Sequence, residues 1–387
     1  MIISIDDMRE RARRRLPGFV FDFMEGGTEG EHCLRRNRET FERVRLLPRY
    51  LVDITSRKTT CELFGRTWAA PFGIAPTGMA GLVWPGADLA RARAAASLDI
   101  PFIFPVLSSE RLEDVAAAAP GQLWFQLYPM RDEAITIDLL NRARASGIDV
   151  LVVTVDVPVS SKRERDRRNR FTVPFRLSPT NLASIAAHPA WAMAMLRGGM
   201  PSLVNLREYT SATGAIGRVA FMAQQARVAS NWAMVDRLRA LWPGRLVLKG
   251  LMAAADVSRA ADQGVDGVIL SNHGGRQLDS APSPVEVIEH AARAADGRLA
   301  LMLDSGITRG ADILRAAALG APFGFVGRAS LYGLASGDGQ RGVEHGLRLL
   351  AEEIDIGLGQ LGCPSVASVT REHASVSGWN YANRPKR

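Results

Sequence analysis

Asp266-Gly267-Val268-Ile269-Leu270-Ser271-Asn272-His273-Gly274-Gly275-Arg276-Gln277-Leu278-Asp279 passes from a short apolar run into a dense polar cluster. Gly267–Leu270 reads as a buried strand, so the cluster starts where the strand stops. That end of a strand is where parallel α/β folds place their chemistry. His273 is a base of the type that titrates near neutral pH. The paired glycines let a ligand approach the backbone, and Arg276 is a cation able to grip a carboxylate with two hydrogen bonds. A capped loop with a structural histidine is the plain alternative; the number of polar groups crowded at one strand end argues against it.

Outward from this stretch, from Pro71 on, apolar runs alternate with Ala- and Arg-rich helical patterns, the mark of repeated βα units. Strands are expected at Pro71–Ala75, Ile100–Phe104, Leu123–Leu127, Val150–Val155, Leu246–Lys249, Gly267–Leu270, Leu299–Leu303 and Phe323–Val326. Helical patterns follow each of them, from Asp88–Leu98 to Val343–Leu361. Eight such units specify a (β/α)8 TIM barrel rather than an open sheet. The whole chain, 1–387, is read as one domain. Its N-terminal helical segment (1–65) caps the barrel. A long insertion after strand 4, about 160–230, lies on the face where the active site belongs. Within it Ala183 to Met200 carries Trp191, Met193, Met195 and Leu196 before Arg197, which suits a membrane-surface patch, a lid or an oligomer contact.

An apolar content of 47% supports a sizeable core, and the net charge of +8, mostly from Arg, suits an anionic ligand or an acidic surface. No nucleic-acid motif accompanies it, so that partner is set aside. Cys33, Cys61 and Cys363 are odd in number and far apart, which excludes a zinc or redox CxxC pattern and fits a reducing compartment. No metal is expected. The N-terminus is charged where a signal peptide is apolar, and no apolar run approaches the roughly 18 residues of a membrane span. The expected location is cytoplasmic, with contact to the inner membrane left open.

The strand ends converge on one mouth: Pro76-Thr77-Gly78, Pro105, Gln126 with Tyr128, Thr154 with Asp156 and then Arg163, Lys249, Ser271 with His273, Asp304-Ser305-Gly306, and Gly327-Arg328. Barrels commonly bind phosphate after strands seven and eight, so Gly306, Gly327 and Arg328 point to a phosphorylated cofactor. Gln126, Thr154 and Ser271 offer donors and acceptors for the edge of a planar heterocycle. Lys249 can stabilise electrons delivered into that ring, and Asp156 can orient His273 as a base.

These motifs, together with Trp124-Phe125-Gln126-Leu127-Tyr128, Arg163-Glu164-Arg165-Asp166 and Val326-Gly327-Arg328, resemble the FMN-dependent α-hydroxy acid dehydrogenases and oxidases over nearly the whole chain. Within that family Ala75-Pro76-Thr77-Gly78, Leu82-Val83-Trp84-Pro85 and Pro189-Ala190-Trp191 resemble the membrane-associated (S)-mandelate dehydrogenase branch. The resemblance implies oxidation of an (S)-2-hydroxy acid, mandelate-like with an aromatic or bulky side chain, to the 2-oxo acid. His273 would be the base and flavin N5 the electron acceptor. Arg276 would bind the substrate carboxylate with help from Arg163, Tyr128 would bond the hydroxyl, and Lys249 would stabilise reduced flavin. Pro76, Thr77, Gly78, Gln126, Thr154, Lys249, Ser271, Asp304, Gly306, Arg309, Gly327 and Arg328 would hold FMN. A homotetramer passing electrons to a quinone or O2 is also implied; Gly78, small as in dehydrogenase-like members, favours an acceptor other than oxygen.

Three positions depart from the family. Phe23 replaces a tyrosine that helps hold the carboxylate, which admits a modified substrate such as an ester, amide or biosynthetic intermediate. Pro105 stands where relatives often have Ser, with Ser108 and Ser109 nearby. Thr308 stands where an Arg commonly meets the FMN phosphate, leaving the adjacent Arg309 and the loop backbone for that task.

Overall fold

The computed structural model describes residues 1–171, 178–210 and 231–376, with 217, 221 and 225. Three helices come first: α1 (Ile5–Arg15), capped by the Ser4 side chain on the Asp7 N–H, α2 (Gly18–Glu25) and α3 (His32–Arg43). Strand β1 (Val44–Leu46) pairs with the last strand, β12 (Ala374–Val376), so the N-terminal segment and the C-terminal region are tied together.

The barrel strands are β4 (Phe72–Ile74), β5 (Phe102–Pro105), β6 (Leu123–Leu127), β7 (Val150–Thr154), β8 (Arg245–Leu251), β9 (Gly267–Leu270), β10 (Ala300–Leu303) and β11 (Phe323–Val326). They close in the order β10-β11-β4-β5-β6-β7-β8-β9, all parallel. The eight strands expected from the sequence are present within a few residues at each end, as a (β/α)8 barrel requires. Their burial on both faces explains why they read as apolar runs rather than as alternating ones.

The hairpin β2 (Cys61–Leu63) and β3 (Arg66–Trp68) was not legible beforehand. It closes one end of the barrel: Leu63 and Trp68 pack with Ile103, Trp124, Val152, Val247 and Phe325 in the barrel interior. The Phe64 ring lies 5.5 Å from that of Trp124. The insertion after β7 holds α7 (Glu164–Arg168), α8 (Pro179–Ala186) and α9 (Pro189–Gly198) among the described residues. The buried Trp191 donates its indole N–H to the Leu82 carbonyl at 2.9 Å, which seats α9 on the barrel rim.

Register sets the site. Pro105 pairs with Gln126, and Thr154 pairs with Lys249. Directly after Lys249 the β8–β9 ladder shifts register. Gly250 sits there at φ +114°, and a Cβ would lie 2.5 Å from that of Asp156. Only glycine permits this approach, so the bulge brings Asp156 over the strand ends.

Candidate active site

A cavity of about 1420 Å³ opens over the C-terminal ends of the strands. Its floor includes Ala75–Gly78, Gln126, Tyr128, Lys249, His273, Asp304–Gly306 and Gly327–Arg328; its walls come from α2, α3 and the insertion. Ligand sites usually measure about 300–1,000 Å³, so this one has room for a cofactor and a substrate together.

His273 faces the cavity with its Nδ1 2.9 Å from Asp156 Oδ1. Its backbone is left-handed (φ +59°), and its N–H donates to Ser271 Oγ at 3.0 Å. Such a conformation costs about 1–3 kcal/mol and persists where surrounding bonds over-determine it. Burial alone would raise the Asp156 carboxyl; His273 and then Lys249 outweigh it and hold it below the usual carboxylate range. Lys249 is buried and reaches Asp304 Oδ2 and Ser271 Oγ, both at 2.9 Å. Burial opposes its charge, but Asp304 and Asp156 raise it above the ordinary lysine value, so the ammonium persists.

Arg276 donates from Nη1 to the carbonyls of Phe23 (2.7 Å) and Gly26 (3.0 Å), and its guanidinium lies 5.2 Å from the Phe23 ring centroid. Burial, then the neighbouring Arg163 and Arg328, push Arg276 well below the usual arginine range. Cations crowded in this way favour a bound anion. Asp166 is the acidic group among them, raised by burial against the pull of Arg276 and Arg163, with Arg163 Nη1 at 3.7 Å. Burial pushes the Tyr128 phenol up to about 12, so it stays an O–H donor near neutral pH.

Most of the expected site residues share this cavity: Phe23, Pro76, Thr77, Gly78, Gln126, Tyr128, Arg163, Lys249, His273, Arg276, Asp304, Gly306, Gly327 and Arg328 line it. Thr154, Asp156 and Ser271 stand behind the lining, bonded to Gln126, His273 and Lys249 respectively. Arg309 departs from expectation. Its guanidinium is committed to Asp6 (2.8 Å) and Glu353 (3.1 Å), and it is not among the lining residues. Ser108 does not replace a hydroxyl at Pro105 either, since it donates to buried Asp88 at 2.5 Å.

The family model for FMN-dependent dehydrogenases matches residues 12–376. The chain belongs to that family. It is therefore an FMN-dependent oxidoreductase that acts on a CH–OH group. It is 41% identical to (S)-mandelate dehydrogenase of Pseudomonas putida over 97% of this chain and 95% of that one. It is 39% identical to 4-hydroxymandelate oxidase of Amycolatopsis orientalis, over 95% and 97% respectively. The crystal structure of the monotopic membrane protein (S)-mandelate dehydrogenase superposes with a TM-score of 0.93 at 40% identity, covering 97% of this chain and all of that one.

The residues present fit FMN. Thr77 Oγ1 is buried without a partner among the described residues, a hydroxyl awaiting a ligand in the cavity wall. Gln126, hydrogen-bonded to Thr154, and the charged Lys249 fix polar groups on the same floor. The N-terminal helical cap was expected, but not that its third helix, α3, joins the site. Asn37 exchanges side-chain bonds with Asn272 (2.9 and 2.6 Å), Cys33 N–H donates to Asp279 at 2.9 Å, and Arg38 reaches the loop after β10. Glu31, the residue before the helix, is left-handed, and no local pattern tells which loop the helix's polar face meets.

Proposed function

We propose that this enzyme oxidises an (S)-2-hydroxy acid with an aromatic or bulky side chain to the 2-oxo acid. The observation that carries the reading is His273, facing the cavity and held at Nδ1 by the Asp156 carboxylate, in the same chamber as Arg276. A carboxylate only accepts, so Nδ1 carries the hydrogen and Nε2 is the nitrogen that takes a proton from the substrate. Arg276, with Arg163, grips the substrate carboxylate. Tyr128 donates its O–H to the substrate oxygen. Lys249 keeps a fixed positive charge beneath the cavity, where negative charge builds up during oxidation. FMN, when bound, accepts the electron pair released as the α-carbon is oxidised. The aromatic walls support the side-chain preference: Phe23 lies 5.1 Å from Phe171, and Phe19 meets Trp191 edge-on at 6.1 Å.

The test is the visible spectrum of the purified protein under anaerobic addition of (S)-mandelate. Bleaching of the flavin band is expected; slow recolouring in air then marks an acceptor other than O2. A band that no free 2-hydroxy acid bleaches refutes the reading. The Phe23 side chain, which offers no hydrogen bond to a carboxylate, favours as second reading the same chemistry on an ester, amide or biosynthetic intermediate.

No helix among the described residues is long and apolar enough to cross a membrane. Leu182, Met193, Leu196 and Met200 nevertheless expose large apolar side chains around α8 and α9, beside Arg197. The second part of the proposal is that this patch rests on a membrane surface, within reach of a lipid-soluble electron acceptor such as a quinone.

A further inference from the structure

The structure assigns to the cofactor phosphate a cation from outside the barrel: Arg38 of α3. Barrels commonly take phosphate at the loops after their seventh and eighth strands. Here those loops are Asp304–Thr308 and Gly327–Arg328, and both line the cavity.

Neither loop offers an uncommitted guanidinium. Arg328 turns its Nε, Nη1 and Nη2 to three carbonyls, those of Met24 (3.2 Å), Gly274 (2.9 Å) and Gly26 (3.0 Å), which fixes the direction of its guanidinium toward the cap and leaves one N–H on each of Nη1 and Nη2. Arg309 is ion-paired with Asp6 and Glu353 and does not line the cavity, and position 308 is a neutral threonine. The other cations lining this quarter are also engaged. Arg9 pairs with Glu25 and Glu10, while Arg35 bonds the Gly30 carbonyl and His32.

Helix α3 crosses directly over the first loop. Gly306 is left-handed (φ +93°), and a Cβ there would lie 2.6 Å from the Asn37 carbonyl oxygen. The next residue, Arg38, lines the cavity and donates from Nη1 to the Gly306 carbonyl (2.9 Å) and Asp312 Oδ2 (2.7 Å). Both bonds use Nη1, so the Nε and Nη2 donors are left for an anion. Asp312 does not cancel the charge. Its carboxylate also meets Arg315 at 2.8 Å and the N–H groups of Thr308 and Arg309 at 3.0 Å, so two guanidiniums share one anion. Arg38 thus supplies, from the N-terminal cap, the charge that Thr308 withholds.

The test compares FMN with riboflavin, which lacks the phosphate. Apoprotein is titrated with each flavin and bound flavin is read by fluorescence quenching, independently of turnover. R38M is expected to weaken FMN about 10- to 100-fold, as loss of a charge-assisted bond implies. Riboflavin affinity should hold within about twofold, R309M should leave the FMN-to-riboflavin ratio at the wild-type value, and T308R in the R38M background should restore it. If R38M does not fold, R38Q keeps a donor to Gly306 and drops the charge, with the same loss of ratio expected. A wild-type ratio in R38M or R38Q, or a lost ratio in R309M, overturns the assignment.

Discussion

The floor of the cavity and its cover are built on different terms. On the floor and just behind it, Asp156, Lys249, Ser271, His273 and Asp304 are linked by bonds of 2.9 to 3.0 Å, each from a strand end or the residues just beyond it. The cover comes from α2, α3, α8 and α9, and it meets the cavity with Phe19, Phe23, Trp191 and Met195 packed by shape. Directional bonds with short range fix the geometry of the floor, as a reaction needs. Apolar packing tolerates exchange of side chains of similar volume, as divergence in substrate needs.

The largest effect should follow from breaking the floor at its base. His273→Gln is expected to slow anaerobic flavin reduction by about 10²–10⁴-fold with the flavin band retained, the range for loss of a general base. Stopped-flow reduction within tenfold of wild type would remove His273 from the chemistry. Next, Asp304→Ala leaves the buried Lys249 ammonium without its counter-charge, a loss of about 3–5 kcal/mol. A chemical denaturation midpoint unchanged from wild type would show that the floor is less tightly bonded than its distances indicate.

Changes in the cover should be milder. Phe23→Tyr is expected to alter KM for (S)-mandelate by less than about threefold, because the Phe23 ring already faces Arg276 and packs on Phe171. A tenfold drop in KM, the value of a regained bond to a charged group, would transfer the assignment to an ester or amide substrate. At the outer edge, Leu182→Glu with Met193→Glu should leave flavin reduction unchanged while abolishing co-sedimentation with anionic vesicles. Undiminished co-sedimentation would locate membrane contact elsewhere.

The same division governs what could be read in advance. The barrel strands and the floor residues follow from local pattern, an apolar run ending in polar groups, and closure of the barrel brings those ends together without further instruction. The hairpin around Phe64 escaped because its strands are three residues long, too short for a periodic signal. Arg309 was misplaced because adjacency to Thr308 in sequence says nothing of side-chain direction; the pull of Asp6 and Glu353 decides that. Arg38 escaped for the converse reason, since its partner at Gly306 lies 268 positions away.

The loop Ser271–Asp279 also carries a consequence for how the chain folds. It is stitched to the N-terminal segment by Arg276 to Phe23 and Gly26, Thr28 to Gly275, and Cys33 to Asp279, across separations of 246 to 253 positions in the side-chain bonds. Contacts so distant in sequence close late, because the intervening chain must first be ordered. During synthesis the cap leaves the ribosome first and must wait for β9 to arrive, so the half-made protein holds α2 and α3 unpartnered and prone to wrong association. The loop and its cap therefore complete each other only when most of the barrel exists, so His273 and Arg276 reach their native surroundings late in folding.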